Sequence, residues 1–271
     1  MQNFNYHSHT YRCKHAQKDF SDEEYVLEHI KKGFKTMAFT DHCPEKEVID
    51  TRPHMRMDYS QKDEYINSIK TLREKYKDKI NIKTGFEVEY LPGQEENLLE
   101  LKNDVDIIIL GQHFIYDDKK EKLLIFRHHY YNDDEILRYA DYIEKACALG
   151  LPDYIAHPDI YMLDRPSFGK TEEAVCRKIC ETAEKFNVPL EINFGQYHAY
   201  QIGKVTQIDY PCRKFWEIAS EYNIKVLYGL DCHWKVEIQD VEKEFEMINS
   251  IIGEDILKKL HFCDENFNLI K

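Results

Sequence analysis

Histidines recur at or just after the ends of apolar, strand-like runs in this chain. They stand in Asn5-Tyr6-His7-Ser8-His9, Phe39-Thr40-Asp41-His42, Leu110-Gly111-Gln112-His113, Ile155-Ala156-His157-Pro158 and Leu230-Asp231-Cys232-His233. Imidazole is the commonest protein metal ligand and titrates near neutrality. Side chains two apart on an extended chain share a face, so His7 and His9 can reach one ion, as can Asp231 and His233. Glu87 lies among apolar neighbours in Gly85-Phe86-Glu87-Val88. A buried carboxylate there is costly unless a metal or a basic side chain satisfies it. Nitrogen and oxygen donors without thiolates suit zinc, manganese or iron(II). Isolated, His7 and His9 read as surface histidines near a terminus, His42, Asp231 and His233 as polar residues at a barrel rim, and Glu87 as the partner of a Lys or Arg. Together they are too many for one ion, and they point to a polynuclear metal centre.

Such a centre needs elements that bring strand ends together. Apolar runs predict strands near 3–8, 36–41, 82–89, 106–113, 153–157, 188–193 and 225–231. Ile107-Ile108-Ile109-Leu110 is continuously apolar, as expected of a parallel strand covered on both faces. Amphipathic spacing predicts helices near 21–33, 60–77, 94–103, 133–149, 171–187, 211–223 and 238–260. Ser21 followed by Glu24 is a capping box, and Gly150 is placed to end the fourth helix. Seven strand–helix pairs in series predict a closed or nearly closed parallel α/β barrel, which gathers the strands' C-terminal ends at one active face. The alternative, an open doubly wound sheet, lacks a glycine-rich dinucleotide fingerprint after any strand. The segments 43–60, 114–132 and 194–210 read as loops of the active face, and residues 1–271 as one barrel domain.

Composition narrows the function. The chain has 271 residues, 42% of them apolar, and a net charge of −13. That charge argues against a general grip on nucleic acid or an anionic membrane surface. It leaves room for a small anionic substrate, because bound cations reverse the local field. The eight cysteines are scattered without a CxxC pair, which predicts reduced thiols and a cytoplasmic setting. Neither a secretion signal nor an apolar run long enough to span a membrane is visible. Oligomeric state is left open.

The motifs resemble those of the PHP (polymerase and histidinol phosphatase) family of metallophosphoesterases. The resemblance runs from His7 to His233 and rests on nine positions: His7, His9, His15, His42, Glu87, His113, His157, Asp231 and His233. His15 enters only through it, since Cys13-Lys14-His15 has no strand context. The resemblance implies a distorted (β/α)7 TIM-like barrel and three divalent transition metals (zinc, manganese or iron). It assigns His7, His9, Glu87 and Asp231 to one ion, Glu87 with His113 and His157 to a second, and His15, His42 and His233 to a third. The implied reaction is hydrolysis of a phosphomonoester by metal-activated hydroxide, with Glu87, Asp231 and His233 among the catalytic groups.

Arginine's fork matches two phosphate oxygens. Arg165, after the His157 strand, is therefore the candidate phosphate ligand and catalytic aid, with Arg127 and Arg52 as further candidates. Asn193 ends the one strand without a metal ligand and is a candidate substrate contact. The Gly-Phe-Glu-Val-Glu-Tyr, Ile-Ala-His-Pro-Asp and Leu190-Glu191-Ile192-Asn193 segments are similar to the family's monofunctional histidinol-phosphate phosphatases, which implies a small-molecule substrate of histidine biosynthesis, L-histidinol phosphate. Tyr161, Glu89 and Asp117 are candidates for its ammonium and imidazole. Two other readings stay open: another small phosphomonoester or a nucleotide as substrate, and a metal-binding module without turnover.

Overall fold

The computed structural model describes residues 2–44, 46, 55–119, 123–126, 129–163 and 165–270. Eight parallel strands form one sheet: β1 (Phe4–Asn5), β2 (Thr36–His42), β3 (Asn81–Val88), β4 (Ile107–Leu110), β7 (Tyr154–Ile155), β8 (Leu190–Asn193), β9 (Lys225–Gly229) and β10 (His261–Phe262), adjacent in that order. A separate antiparallel ribbon, β5 (Phe114–Tyr116) with β6 (Leu123–Ile125), follows β4. The helices are α1 (Asp22–Lys31), α2 (Lys62–Tyr76), α3 (Glu95–Lys102), α4 (Asp133–Ala148), α5 (Lys170–Phe186), α6 (Gly195–Gln201), α7 (Arg213–Ala219), α8 (Lys235–Gln239), α9 (Val241–Ile252) and α10 (Glu254–Leu257).

Alternation along the strands sorts the core into two layers. In β4, Ile107 and Ile109 join a small cluster with Phe4, Tyr6, Ala38, Tyr154 and Leu227, while Ile108 and Leu110 pack into the larger cluster with the helices. A continuously apolar strand is thus covered on both faces, as its sequence requires. The inner cluster fills the barrel below the strands' C-terminal ends. Side chains of inward parity above it are free to do chemistry: His42 follows Ala38 and Thr40 on β2, and Glu87 follows Gly85 on β3.

The barrel closes at one end. Ser8 bridges Cys232 in parallel register, with His9 N donating to Cys232 O at 2.8 Å and Cys232 N to His7 O at 3.2 Å. Near its start β9 pairs instead with β10, at Lys225↔His261. That closure is what sets His7 and His9 beside Asp231 and His233.

All seven expected strands are present, as is a distorted TIM-like barrel. The eighth strand, β10, was not foreseen because two residues carry no alternation to read. The helix expected over 238–260 is divided into α9 and α10 at Gly253, whose φ of +92° ends the first. Helix starts follow their caps. Ser21 Oγ accepts from Glu24 N while Glu24 Oε2 accepts from Ser21 N, and Asn132 and Glu135 form the same box at α4. All eight cysteines are free. Among the described residues, no helix is long and apolar enough to cross a membrane.

Candidate metal centre

The nine side chains singled out in the sequence converge around Glu87. Its Oε1 lies 2.8 Å from His157 Nε2 and 3.6 Å from both His7 Nε2 and His113 Nε2. Its Oε2 lies 2.8 Å from His42 Nδ1 and 3.5 Å from His9 Nε2. Asp231 Oδ1 completes the inner group, 3.4 Å from His7 Nε2 and 3.1 Å from His9 Nε2. His233 stacks on His9 with ring centroids 4.1 Å apart, and its Nε2 lies 3.0 Å from His15 Nε2. His15 therefore belongs to the cluster. It gets there on the short 3-10 turn Tyr11–Cys13, a feature too brief to show in periodicity.

Several devices hold this arrangement. Gly111 packs against the Glu87 carboxylate so closely that an added Cβ would overlap it, and Gly229 does the same for Glu191. Both His157 (φ +30°) and Asp231 (φ +52°) sit in the left-handed region that non-glycine residues avoid. Such strain persists only where surrounding structure fixes it, and it gathers at functional sites. The loop beyond His157 is tied to α7 through Asp159, whose Oδ2 accepts from Cys212 N at 2.7 Å and Trp216 Nε1 at 3.2 Å.

Electrostatics couple the groups. Burial opposes charge on His7, but Glu191, Asp231 and Glu87 outweigh it and hold the imidazole well above its usual range. His9 is likewise opposed by burial yet raised to about 9 by its bonds toward Asp231 and Asp41 and the charge of Glu87. Burial favours neutral Glu87 and Asp231, and the surrounding imidazoles nevertheless hold both well below the carboxylate range. His42 and His233 are pushed down, chiefly by burial, with neighbouring imidazoles adding to it.

The residues fit divalent cations. His7 Nε2 and His157 Nδ1 are buried without a hydrogen-bond partner. Each such group costs about 1–3 kcal/mol when left unsatisfied, and a cation among them removes that cost for the atoms it binds. Three overlapping sets, His7–His9–Glu87, His7–His157–Asp231 and His9–His42–His233, each hold their ligand atoms within 4.8 Å of one another. Imidazole and carboxylate donors match zinc, manganese and iron(II).

A cleft of about 320 Å³ opens over the cluster, with Phe126, Tyr210, Trp234, Lys204 and Glu237 among its other walls. A larger cavity, about 410 Å³, lies between α3 and Cys43, Pro44, Arg56, Tyr59 and Lys62, and touches none of the nine ligands.

Of the expected phosphate and substrate contacts, Arg165, Asn193, Tyr161, Glu89 and Asp117 are absent from the cleft walls. The Arg165 guanidinium meets Glu172 Oε1 at 2.6 Å, Asp133 Oδ1 at 2.6 Å and Tyr131 O at 2.8 Å, and it does not line the cleft. Arg127 and Arg52 lie outside the described residues. Asn193 is fully buried, donating to Glu191 Oε1 at 2.6 Å and accepting from Gly195 N at 2.7 Å. Tyr161 is buried with its hydroxyl on Glu172 O, Glu89 faces Arg56 and His113, and Asp117 is not among the cleft walls.

Sequence reasoning missed Glu191. Its two oxygens lie 3.1 and 2.9 Å from His7 Nδ1, and Oε1 accepts from His157 N at 3.3 Å. A carboxylate between Leu190 and Ile192 is the same signal that drew attention to Glu87.

Comparison with known proteins agrees with this geometry. A curated relative from Schizosaccharomyces pombe, named probable histidinol-phosphatase, is 27% identical over 84% of this chain and 79% of its own. A crystal structure from Listeria monocytogenes shares the fold with a TM-score of 0.72 at 22% identity, covering 90% of this chain and 99% of that one. Another, of histidinol phosphate phosphatase from Lactococcus lactis complexed with zinc, L-histidinol and phosphate, covers 100% of this chain and 99% of that one, with a TM-score of 0.66 at 15% identity. Residues 5–195, which carry seven of the nine clustered ligands, match the PHP domain, and the chain belongs to that family.

Proposed function

We propose that this chain hydrolyses L-histidinol phosphate to L-histidinol and phosphate, with three divalent transition metals held by the nine converging side chains. The observation that carries the reading is the meeting of His7, His9, His42, His113 and His157 around one buried carboxylate, Glu87, with unpartnered ligand atoms turned inward. The curated relative's name and the Lactococcus lactis complex with zinc, L-histidinol and phosphate support the choice of substrate.

In this reading His7, His9, Glu87 and Asp231 hold one ion, Glu87 with His113 and His157 a second, and His15, His42 and His233 a third. Bound ions supply Lewis acidity toward the phosphoryl oxygens and toward the attacking water. The chain's own part is to fix geometry. Glu87 reaches imidazoles from four sides, and Asp231, held in a strained conformation, faces His7 and His9. Phe126, Tyr210 and Trp234 offer apolar faces for an imidazole ring, and Lys204 adds positive charge among the cleft walls. Residues 1–271 act as one barrel unit, because Asp231 and His233, beyond the matched segment, complete the ligand set.

The test is phosphate release from L-histidinol phosphate beside a panel of other small phosphomonoesters and nucleotides. The reading predicts the highest kcat/KM on L-histidinol phosphate. Preference for another phosphomonoester overturns the substrate, and metal binding with no hydrolysis overturns the enzyme.

A further inference from the structure

The ring nitrogens that face away from the cluster divide four of the histidines into two kinds, His7 and His113 against His15 and His233. His7 Nδ1 meets both oxygens of Glu191, at 3.1 and 2.9 Å, and neither residue is exposed. His113 Nδ1 meets Glu89 Oε1 at 3.1 Å. By contrast, His15 Nδ1 faces the backbone carbonyl of Cys13 at 2.9 Å, and His233 Nδ1 that of Asp231 at 2.9 Å. The carboxylate-backed His7 lies in the floor of the site, whereas His15 is exposed and His233 half-buried.

A carboxylate behind an imidazole fixes the tautomer, keeps the opposite nitrogen as the lone-pair donor and raises its basicity. Losing such a partner typically weakens metal binding about 10–100-fold. A backbone carbonyl fixes the tautomer too, but brings no charge. Two carboxylates, Glu87 and Asp231, also face His7 Nε2 directly. The set formed by His15, His42 and His233 contains only imidazoles, and two of the three reach solvent; buried His42 has a carboxylate at its Nδ1, Glu87 Oε2 at 2.8 Å.

Glu191 is itself held in place. Asn193 Nδ2 donates to its Oε1 at 2.6 Å, and the absence of a side chain at Gly229 leaves it room. The strand without a metal ligand thereby acts on the metals from behind, through His7 and through the backbone of His157.

We propose that Glu191 is a positioning residue that sets the affinity of the innermost metal through His7, and that the ion held by His15, His42 and His233 is the first the chain releases. This rests on the three-ion reading of the site and goes beyond it by ranking the ions.

The experiment is a zinc titration. Zinc-loaded protein is equilibrated against graded chelator, and bound zinc is counted by elemental analysis. For the unaltered chain one equivalent is expected to leave at free zinc at least about 10-fold above that which empties the other two sites. Glu191→Gln shifts the last step by about 10–100-fold and leaves the first in place. Asn193→Ala, which frees Glu191 without removing it, shifts the last step in the same direction by less. His15→Ala abolishes the early step alone. Release of all zinc in one step, movement of both steps together in Glu191→Gln, or an early step that survives His15→Ala overturns the proposal. Phosphate release is not read in this titration, so failure of the hydrolytic reading shows only in the substrate assay.

Discussion

Glu87 Oε1 and His157 Nε2 meet at 2.8 Å, joining β3 to the segment that follows β7 across the mouth of the barrel. The other Glu87 oxygen meets His42 Nδ1 at the same distance. One carboxylate therefore faces imidazoles carried by different strands, and it holds the site's negative charge at the centre. Glu87→Ala should strip more than one metal equivalent and lower phosphate release by well over 100-fold, beyond the effect of losing a partner behind a ligand. Elemental analysis with steady-state kinetics checks this, and a variant with full metal content would show that Glu87 is not a shared ligand.

Gly111 makes room for that carboxylate. A Cβ there collides with the Glu87 side chain, and forced overpacking of this kind costs about 1–3 kcal/mol. Gly111→Ala should lower Tm and bound metal together, measured by thermal unfolding with and without added zinc. Unchanged metal content would mean that Glu87 can move aside without loss.

A second buried acid group gives a pH signature apart from the metals. Glu244 is raised from 4.5 to about 9, first by burial and then by the charges of Glu237, Asp240 and Glu242. His198, whose Nδ1 lies 3.2 Å from Glu244 Oε1, is lowered by burial to about 4. Between pH 5 and 9 the native state keeps a proton on Glu244 that the unfolded chain has released. Native protein then binds more protons, so stability falls as pH rises, by about 1.4 kcal/mol per unit for a fully displaced proton. Burial of His198 adds the opposite slope only between about pH 4 and 6.5. Glu244→Gln removes the titration, so its Tm should decline less than that of the unaltered chain from pH 6.5 to 8.5. Parallel curves would place an ionised Glu244 in the fold. Glu237, raised to about 8 chiefly by burial, contributes a slope of the same sign to both proteins.

Arg165 tests what proximity in sequence is worth. Its guanidinium is taken up by Glu172, Asp133 and the Tyr131 carbonyl, which ties the segment after His157 to α4 and α5. Arg165→Ala should cost about 1–3 kcal/mol, the scale for leaving the buried Glu172 carboxylate without its partner. Metal-loaded enzyme should keep phosphate release within a few-fold. A fall of 100-fold or more in kcat/KM at full metal occupancy would return Arg165 to the phosphate.

Much of the centre was legible because strand ends announce themselves. An apolar run that stops at His42, His113 or Asp231 has no packing reason to do so, and inward parity places such residues above the core. His15 carried no such signal, since a three-residue turn has no period. Only the family resemblance brought it in, and the structure sets it 3.0 Å from His233. Glu191 was overlooked for another reason. It shares with Glu87 the signal of a carboxylate between apolar neighbours, but it acts through His7, and no ligand spacing in the sequence marks such a role. The β5–β6 ribbon and α6 fell in segments read as loops because each is too short for periodicity to register. Substrate contacts were the least legible, because they depend on which side chains the salt-bridge network leaves available.

Phosphate released from L-histidinol phosphate by protein of known metal content tests the central claim most directly. Metal-loaded protein should release phosphate rapidly, lose that release after chelation, and regain it on adding zinc, manganese or iron(II). Full metal occupancy with no release, or release that survives complete removal of metal, would contradict it.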